Sequence, residues 1–176
     1  MTSHAADSPK TETLRFGYGE TILGTILVAE SARGLVALFI GDDPGRLLQD
    51  LRDAFPDAEV LLDQTSLAPN LAKASALVDA PHLGTDLKLD LRGSALELAV
   101  WRALQSIPPG QTRTYGAIAK ELPITPTSQE VGAACAANRI AVAVPCHRVV
   151  KSDGSIAGYR WGVRRKRWLI NMEGVE

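Results

Sequence analysis

Residues 114–148 read TYGAIAKELPITPTSQEVGAACAANRIAVAVPCHR, and three local patterns follow one another within them. Tyr115, Ile118, Ala119 and Leu122 recur at helical spacing until Pro123 interrupts. Thr127 with Glu130 three residues later is a capping box, and it opens a second helix, predicted over about residues 128–139, that places Val131, Ala134, Cys135 and Asn138 on one face. Two short helices joined by a Pro-containing turn form the pattern of a helix-turn-helix. The small residues Gly132, Ala133, Ala136 and Ala137 would let the second helix approach another surface closely, although plain helix packing gives the same pattern. The run Ile140–Val144 is too short for an ordinary helix and is halted by Pro145, so it is expected to lie buried. The thiol of Cys146 should then emerge where a buried segment reaches the surface, beside a potential base, His147, and a fixed positive charge, Arg148.

Towards the C-terminus the pattern continues with a Gly-bounded loop over residues 154–162 and a helix predicted over about 163–172. Its basic run Arg164, Arg165, Lys166 and Arg167 stands at the helix start, against the preference of the helix dipole. Towards the N-terminus, Leu96, Ala99, Val100, Ala103 and Leu104 define a helix beginning near Gly93 and ended by Ile107-Pro108-Pro109-Gly110. Before it, the β-branched and aromatic residues from Leu14 to Ile40, punctuated by glycines, predict an antiparallel meander. A helix from Asp43 or Pro44 to Ala54 follows, then a weaker helix over about 69–79 and a strand over 87–90. The fold class expected is α+β, with a small antiparallel sheet and helix over residues 13–90, a helical unit over 91–176, and a polar, disordered tail over 1–12.

A chain of 176 residues with 45% apolar and 22% charged residues is long enough to bury a core and is neither collagen-like, a coiled coil nor wholly disordered. The net charge of −1 conceals a division. Residues 1–100 carry 8 basic and 15 acidic side chains, a net of −7, whereas residues 101–176 carry 11 and 5, a net of +6. A basic half seeks polyanions, and nucleic acid is the first of these. The apolar runs are too short for a membrane helix and the first residues lack a signal-peptide core, so a soluble, cytoplasmic protein is expected. With only Cys135 and Cys146, and with His4, His82 and His147 scattered, neither a disulfide framework nor a cysteine zinc site is expected.

A free thiol with a pKa of about 8.5 is only a few per cent thiolate at neutral pH, so a nucleophilic cysteine needs a base or a positive charge beside it. The string IAVAVPCHRVV at 140–150, with Ala-Cys-Ala-Ala-Asn138 before it and Gly158-Tyr159-Arg160-Trp161-Gly162 after it, resembles the O6-alkylguanine-DNA alkyltransferases, most of all the C-terminal half of the bacterial adaptive-response members. The resemblance runs from about residue 14 to 174 and is most specific from Gly93 onward. It implies a ribonuclease H-like N-terminal part, a winged helix-turn-helix C-terminal part, and a single-turnover transfer of an alkyl group from a flipped guanine, or from O4-alkylthymine, to Cys146. By position, His147 relays the thiol proton through a water, Glu173 orients His147, Asn138 braces the turn beneath the site, and Tyr115 crowds the target phosphate. Val149, Tyr159, Arg160, Trp161 and Cys135 fall at substrate-pocket positions. Thr114, Ser128, Gln129, Ala133, Arg139 and Arg148 fall at DNA-facing ones, with the second helix in the minor groove. The implied partner is double-stranded DNA carrying alkylated guanine, bound by a monomer at the bacterial nucleoid, with no cofactor, metal or membrane.

Two positions depart from the family pattern. An arginine finger usual at the start of the second helix is replaced by Gln129, followed by Glu130, which predicts weaker DNA affinity or slower repair. Trp161 stands where some relatives carry glycine, which predicts a narrower pocket that prefers methyl over benzyl groups. A damage sensor or regulator that binds lesions and repairs poorly is the non-enzymatic alternative, and a cysteine hydrolase using Cys146 and His147 is the other.

Overall fold

The computed structural model describes residues 12–174. The N-terminal half is a four-stranded sheet with two helices: β1 (Glu12–Thr21), β2 (Gly24–Glu30), β3 (Leu35–Gly41), α1 (Pro44–Ala54), β4 (Ala58–Leu62) and α2 (Gln64–Asp79). β1 to β3 form the expected antiparallel meander, but the order β3-β2-β1-β4 adds a fourth strand, parallel to β1, so the sheet is mixed rather than antiparallel. β4 carries only five residues, with Leu61 and Leu62 exposed, and that gives the alternation of a buried strand no room to show. The tail expected over residues 1–12 lies outside the described residues up to 11. Glu12 itself opens β1, two residues before the predicted start, and its carboxylate is gripped by Arg92 at 2.5 and 2.6 Å.

Helix α1 starts where Asp43 accepts from the Gly45 amide at 3.0 Å and Pro44 occupies the first turn, as its sequence predicts. α2 begins at Gln64, five residues before the predicted start at Pro69. Asp63 caps it by accepting from the Ser66 amide at 3.2 Å, and Pro69 sits close enough to this end that its missing N–H spares only the carbonyl of Thr65. α2 lies hard against β1, where a Cβ on Gly17 would come within 2.9 Å of the Leu71 side chain.

The C-terminal half contains α3 (Ala95–Gln105), β5 (Arg113–Thr114), α4 (Tyr115–Glu121), α5 (Ser128–Ala136), a single 3₁₀ turn at Cys146–Arg148, β6 (Val149–Val150) and α6 (Val163–Met172). Both halves of the Thr127/Glu130 capping box form, at 3.0 and 2.9 Å, and two orphan amides of α5 are satisfied before any tertiary contact is counted. α4 and α5 pack on each other across the turn that joins them. α5 is shorter than expected: Ala137 caps it and Asn138 already belongs to the following loop. The 87–90 strand reduces to one bridge, Leu89 to Leu35.

The two halves meet along the edge of β3. Leu35 donates to the Lys88 carbonyl at 2.9 Å and accepts from the Asp90 amide at 2.7 Å, while Leu38 donates to the Arg139 carbonyl and accepts from Ala141, each at 2.9 Å. The chain between α5 and Cys146 is therefore docked onto the sheet edge, and one continuous apolar core runs from Leu14 through Leu38 and Val100 to Leu169. Among the described residues no helix is long and apolar enough to cross a membrane.

Candidate active site

The run Ile140–Val144 is buried, as its composition predicts, but it is neither helix nor strand. Ala143 donates back to Ala141 at 2.7 Å across Val142, whose φ is 67°, and Cys146 donates back to Val144 at 2.8 Å across Pro145. A positive φ at a β-branched residue costs about 1–3 kcal/mol and persists only where neighbours over-determine it. Asn138 supplies that constraint. Its Oδ1 accepts from the Ile140 amide at 2.9 Å, and its Nδ2 donates to the Val144 carbonyl at 2.9 Å and reaches the Cys146 Sγ at 3.4 Å. One buried amide thus folds the loop and places the sulfur.

Cys146 opens the 3₁₀ turn and is 4% exposed, so the thiol is buried rather than emerging at the surface as the sequence implies. Burial raises its pKa, an effect opposed by the hydrogen bond from Asn138 and by the charges of Lys166 and Arg160. At neutral pH the group is a thiol and needs a base.

His147 follows, fully buried, with its Nε2 3.1 Å from the Glu173 Oε1. Burial alone would raise the Glu173 pKa, but hydrogen bonds from His147 and Arg148 outweigh it and hold the carboxyl at about 2. Burial lowers the pKa of His147, against the pull of Glu173. An ionised carboxylate only accepts, so Nε2 carries the imidazole proton and Nδ1 keeps a free lone pair. That Nδ1 is buried and makes no hydrogen bond among the described residues. A neutral imidazole fixed in this tautomer can accept a proton at Nδ1.

Arg148, expected to face DNA, does not. Its guanidinium is buried, donates to both oxygens of Glu173 at 2.5 to 3.1 Å and caps the Ile107 carbonyl at 2.7 Å. Arg139 is likewise committed to the protein, with Nη1 on the Arg92 carbonyl at 3.1 Å and Cζ 5.4 Å from the Phe55 ring centre. The Thr114 hydroxyl caps α4 by accepting from Ala117 at 3.1 Å. Ser128, Gln129 and Ala133 are exposed along α5.

A cavity of about 360 Å³ opens over Cys146, bounded by Tyr115, Gly132, Cys135, Ala136, Gly158, Tyr159 and Arg160. Tyr115 and Cys135 both have pKa values raised by burial to about 12, and burial raises the Tyr159 pKa well above its ordinary value, so all three stay protonated at neutral pH. The Tyr159 hydroxyl is buried and unpartnered among the described residues. Two expected pocket residues lie elsewhere. Val149 is fully buried behind the cavity in β6, paired with Arg113. Trp161 packs edge-on against Tyr159, 5.4 Å between ring centres, and lines a separate cavity against the sheet, so it does not narrow the space over Cys146 as its sequence position predicts.

Sequence reasoning missed Lys166. It reads as one member of a basic run, yet it is fully buried, with Nζ 3.5 Å from the Gly158 carbonyl, and burial lowers its pKa. The signal was its spacing, because Lys166, Leu169 and Ile170 form the buried face of α6.

A buried thiol held by an amide, next to an imidazole clamped by a buried carboxylate and facing a cavity between two short helices and a loop, is an arrangement in which a cysteine can be deprotonated and act on a bound group. The model of the 6-O-methylguanine DNA methyltransferase DNA-binding domain matches residues 95–175. The chain is 38% identical over 160 residues to the bifunctional transcriptional activator/DNA repair enzyme Ada of Escherichia coli, covering 91% of this chain and 45% of that protein. It is 33% identical over 147 residues to the inducible methylated-DNA--protein-cysteine methyltransferase of Bacillus subtilis, covering 83% and 82%. Among solved structures, that of Mycobacterium tuberculosis OGT in complex with DNA superposes with a TM-score of 0.74 at 31% identity, covering 91% of this chain and 92% of the other. The chain belongs to the 6-O-methylguanine-DNA methyltransferase family. It spans about half the length of the Ada proteins it matches.

Proposed function

We propose that the protein repairs alkylated DNA by direct transfer: the thiol of Cys146 takes the alkyl group from the O6 of a guanine flipped out of duplex DNA, once per molecule. The observation that carries this reading is the His147 tautomer, with Nε2 tied to ionised Glu173 and Nδ1 left as a buried lone pair one residue from the thiol. A water between Sγ and Nδ1 passes the thiol proton to His147, and the thiolate attacks the alkyl carbon. The sulfur–carbon bond forms as the carbon–O6 bond breaks and its electron pair goes to the guanine, which leaves as the O6/N1 anion; the proton accepted by His147 returns through water to N1, giving keto guanine and neutral His147. The deprotonation is needed because burial keeps Cys146 a thiol.

The same reading gives the surrounding residues their roles. Tyr115 crowds the flipped nucleotide's phosphate, the Tyr159 hydroxyl meets the base, and the Arg160 amide approaches the alkylated oxygen. Cys135 is a wall of the cavity. The N-terminal unit over 13–90 is a ribonuclease H-like scaffold. The unit over 91–176 acts as a winged helix-turn-helix whose α5 enters the minor groove through Ser128, Gln129 and Ala133, supported by their exposure and by the net positive charge of residues 101–176. The protein works as a monomer in the cytoplasm, on the nucleoid.

The test is intact-protein and peptide mass spectrometry after stoichiometric incubation with duplex DNA containing one O6-methylguanine. One methyl on the Cys146 peptide, absent in Cys146→Ser, is the expected result; tight lesion binding with no mass gain would replace repair by sensing.

A further inference from the structure

Glu173 serves two partners at once. Its Oε1 meets the His147 Nε2 at 3.1 Å and the Arg148 Nε at 3.0 Å, while its Oε2 accepts from the Arg148 Nε at 3.1 Å and Nη2 at 2.5 Å. His147 and Arg148 are neighbours in the 3₁₀ turn and Glu173 closes α6, so one turn presents a base and a fixed cation to the same carboxylate. The His147 and Glu173 side chains expose nothing and that of Arg148 exposes 8%. Arg148 is aimed from a third element, because its Nη1 donates at 2.7 Å to the carbonyl of Ile107, just past the end of α3.

The number of protons on the carboxylate–imidazole pair decides whether His147 can act. With a single proton, on Nε2, the carboxylate accepts and Nδ1 is a lone pair. A second proton has two places to go, and both block the base. On the carboxyl it is donated to Nε2, which moves the imidazole proton to Nδ1; on the imidazole it sits on Nδ1 directly. Burial lowers the His147 pKa, whereas Glu173 raises it and so draws the second proton in. The Arg148 charge opposes that uptake on both members. It lowers the His147 pKa, and against the upward push of burial it joins the His147 hydrogen bond in holding the Glu173 carboxyl at about 2. Lys166 of α6 also lowers the His147 pKa, but from the Gly158 carbonyl rather than from the carboxylate, and Tyr159 of the 158–162 loop is neutral.

We propose that Arg148 is a positioning residue for the transfer reaction: its guanidinium on Glu173 keeps a second proton off the carboxylate–imidazole pair and so keeps the His147 Nδ1 free to take the proton of the Cys146 thiol. The inference rests on the alkyl-transfer reading. Arg148 does not line the Cys146 cavity, so its effect on the reaction passes through Glu173 and His147. The fork matters as well as the charge, since it engages both carboxylate oxygens and fixes how Oε1 meets the imidazole.

Two readouts test this in Arg148→Met, which removes the charge, and in Arg148→Lys, which keeps a charge but not the fork. The first is the pH dependence of single-turnover methyl transfer to Cys146 from duplex DNA containing O6-methylguanine. The second is the nitrogen-15 spectrum of the His147 ring, which separates a bare Nδ1 from a protonated one. Among three histidines, the His147 signal is the one absent from His147→Ala. In the parent, Nδ1 and the rate titrate with one midpoint, below 6.5. In Arg148→Met both midpoints rise together by about 1–3 pH units, the effect expected of removing a neighbouring charge, and in Arg148→Lys they rise by less. Because Arg148→Lys keeps a cation beside the carboxylate, it decides the matter if Arg148→Met folds poorly. Midpoints that stay at the parent's value in the variants that fold, whatever the fall in rate, overturn the proposal and leave Arg148 a structural brace. The ring spectrum needs no reaction, so a parent that methylates no Cys146 overturns the alkyl-transfer reading, while the Nδ1 midpoints still decide whether Arg148 controls the proton.

Discussion

Arg148 and Glu173, 25 residues apart, form a buried pair in which one guanidinium meets both carboxylate oxygens, the shortest contact being 2.5 Å. Truncating Arg148 leaves the Glu173 carboxylate charged in the core with only the His147 hydrogen bond, a loss of about 3–5 kcal/mol. Arg148→Ala should lower the unfolding free energy by that amount in urea titrations. Its effect on the salt dependence of DNA binding should be nil, because the side chain has no phosphate to release. A steepness of the salt dependence that drops by about one charge would return Arg148 to the DNA surface.

Acid should undo the same pair. The Glu173 carboxyl is held at about 2 when folded, against an ordinary value of 4.5, so it binds fewer protons folded than unfolded between those values. The stability it contributes is therefore fully present above about pH 4.5 and is lost as pH falls towards 2. The difference corresponds to about 3 kcal/mol. Urea titrations across this window should show a loss of that size in the parent and a much flatter profile in Glu173→Gln, which starts from a lower stability.

The base, by contrast, should fail only in mild acid. Burial lowers the pKa of His147 below its ordinary 6.5, so the neutral imidazole survives below that pH. The methyl-transfer rate measured by rapid quench should stay level down to pH 6.5 and fall with a midpoint beneath it. His147→Ala should slow transfer by about 10²-fold or more. A midpoint above 6.5 would mean that Glu173 dominates over burial and that His147 is protonated at rest.

Asn138 ties loop geometry to sulfur placement through its bonds to Ile140, Val144 and Cys146. Asn138→Ala leaves the buried Ile140 amide without a partner, at about 1–3 kcal/mol, and leaves the Val144 carbonyl only the Cys146 amide, while Val142 keeps a strained φ. Stability should fall by about 1–3 kcal/mol and the transfer rate should fall with it, even at temperatures where the variant remains folded. A folded variant with the parent's rate would show that the sulfur needs no amide.

What could be read in advance follows physical range. The Thr127/Glu130 box and the Asp43-Pro44 start are signals written within four residues, and both form as expected. β4 owes its place to parallel pairing with β1 more than forty residues away, and α2 hides its start because Pro69 mimics a first-turn proline. At the site, the Cys146-His147 adjacency is local, whereas Glu173 came only through family resemblance and reads locally as a surface acid. A basic side chain in a sequence names its charge but not its partner. Arg148 and Arg139 consequently looked like phosphate contacts while Lys166, in the same basic run as Arg164, turned out to be core.

Gln129 lies exposed in the first turn of α5, where Glu130 is occupied in the capping box and cannot be freed without losing the cap. On the proposed reading, the surface that would meet DNA is thus without a cation at the position where the family resemblance leads one to expect an arginine. Gln129→Arg should add one phosphate-screening charge, steepening the dependence of log affinity on log salt by about 1, and should raise lesion affinity most at low salt. The guanidinium adjoins the positive end of the helix dipole, a cost of about 0.3–1 kcal/mol that should appear as slightly lower stability. Fluorescence anisotropy over a salt series, with single-turnover repair at each salt, separates the two effects. If the variant binds more tightly and repairs faster, the glutamine limits flipping; if it binds more tightly but repairs no faster, the departure from the family pattern tunes residence on DNA and leaves chemistry to Cys146 and His147.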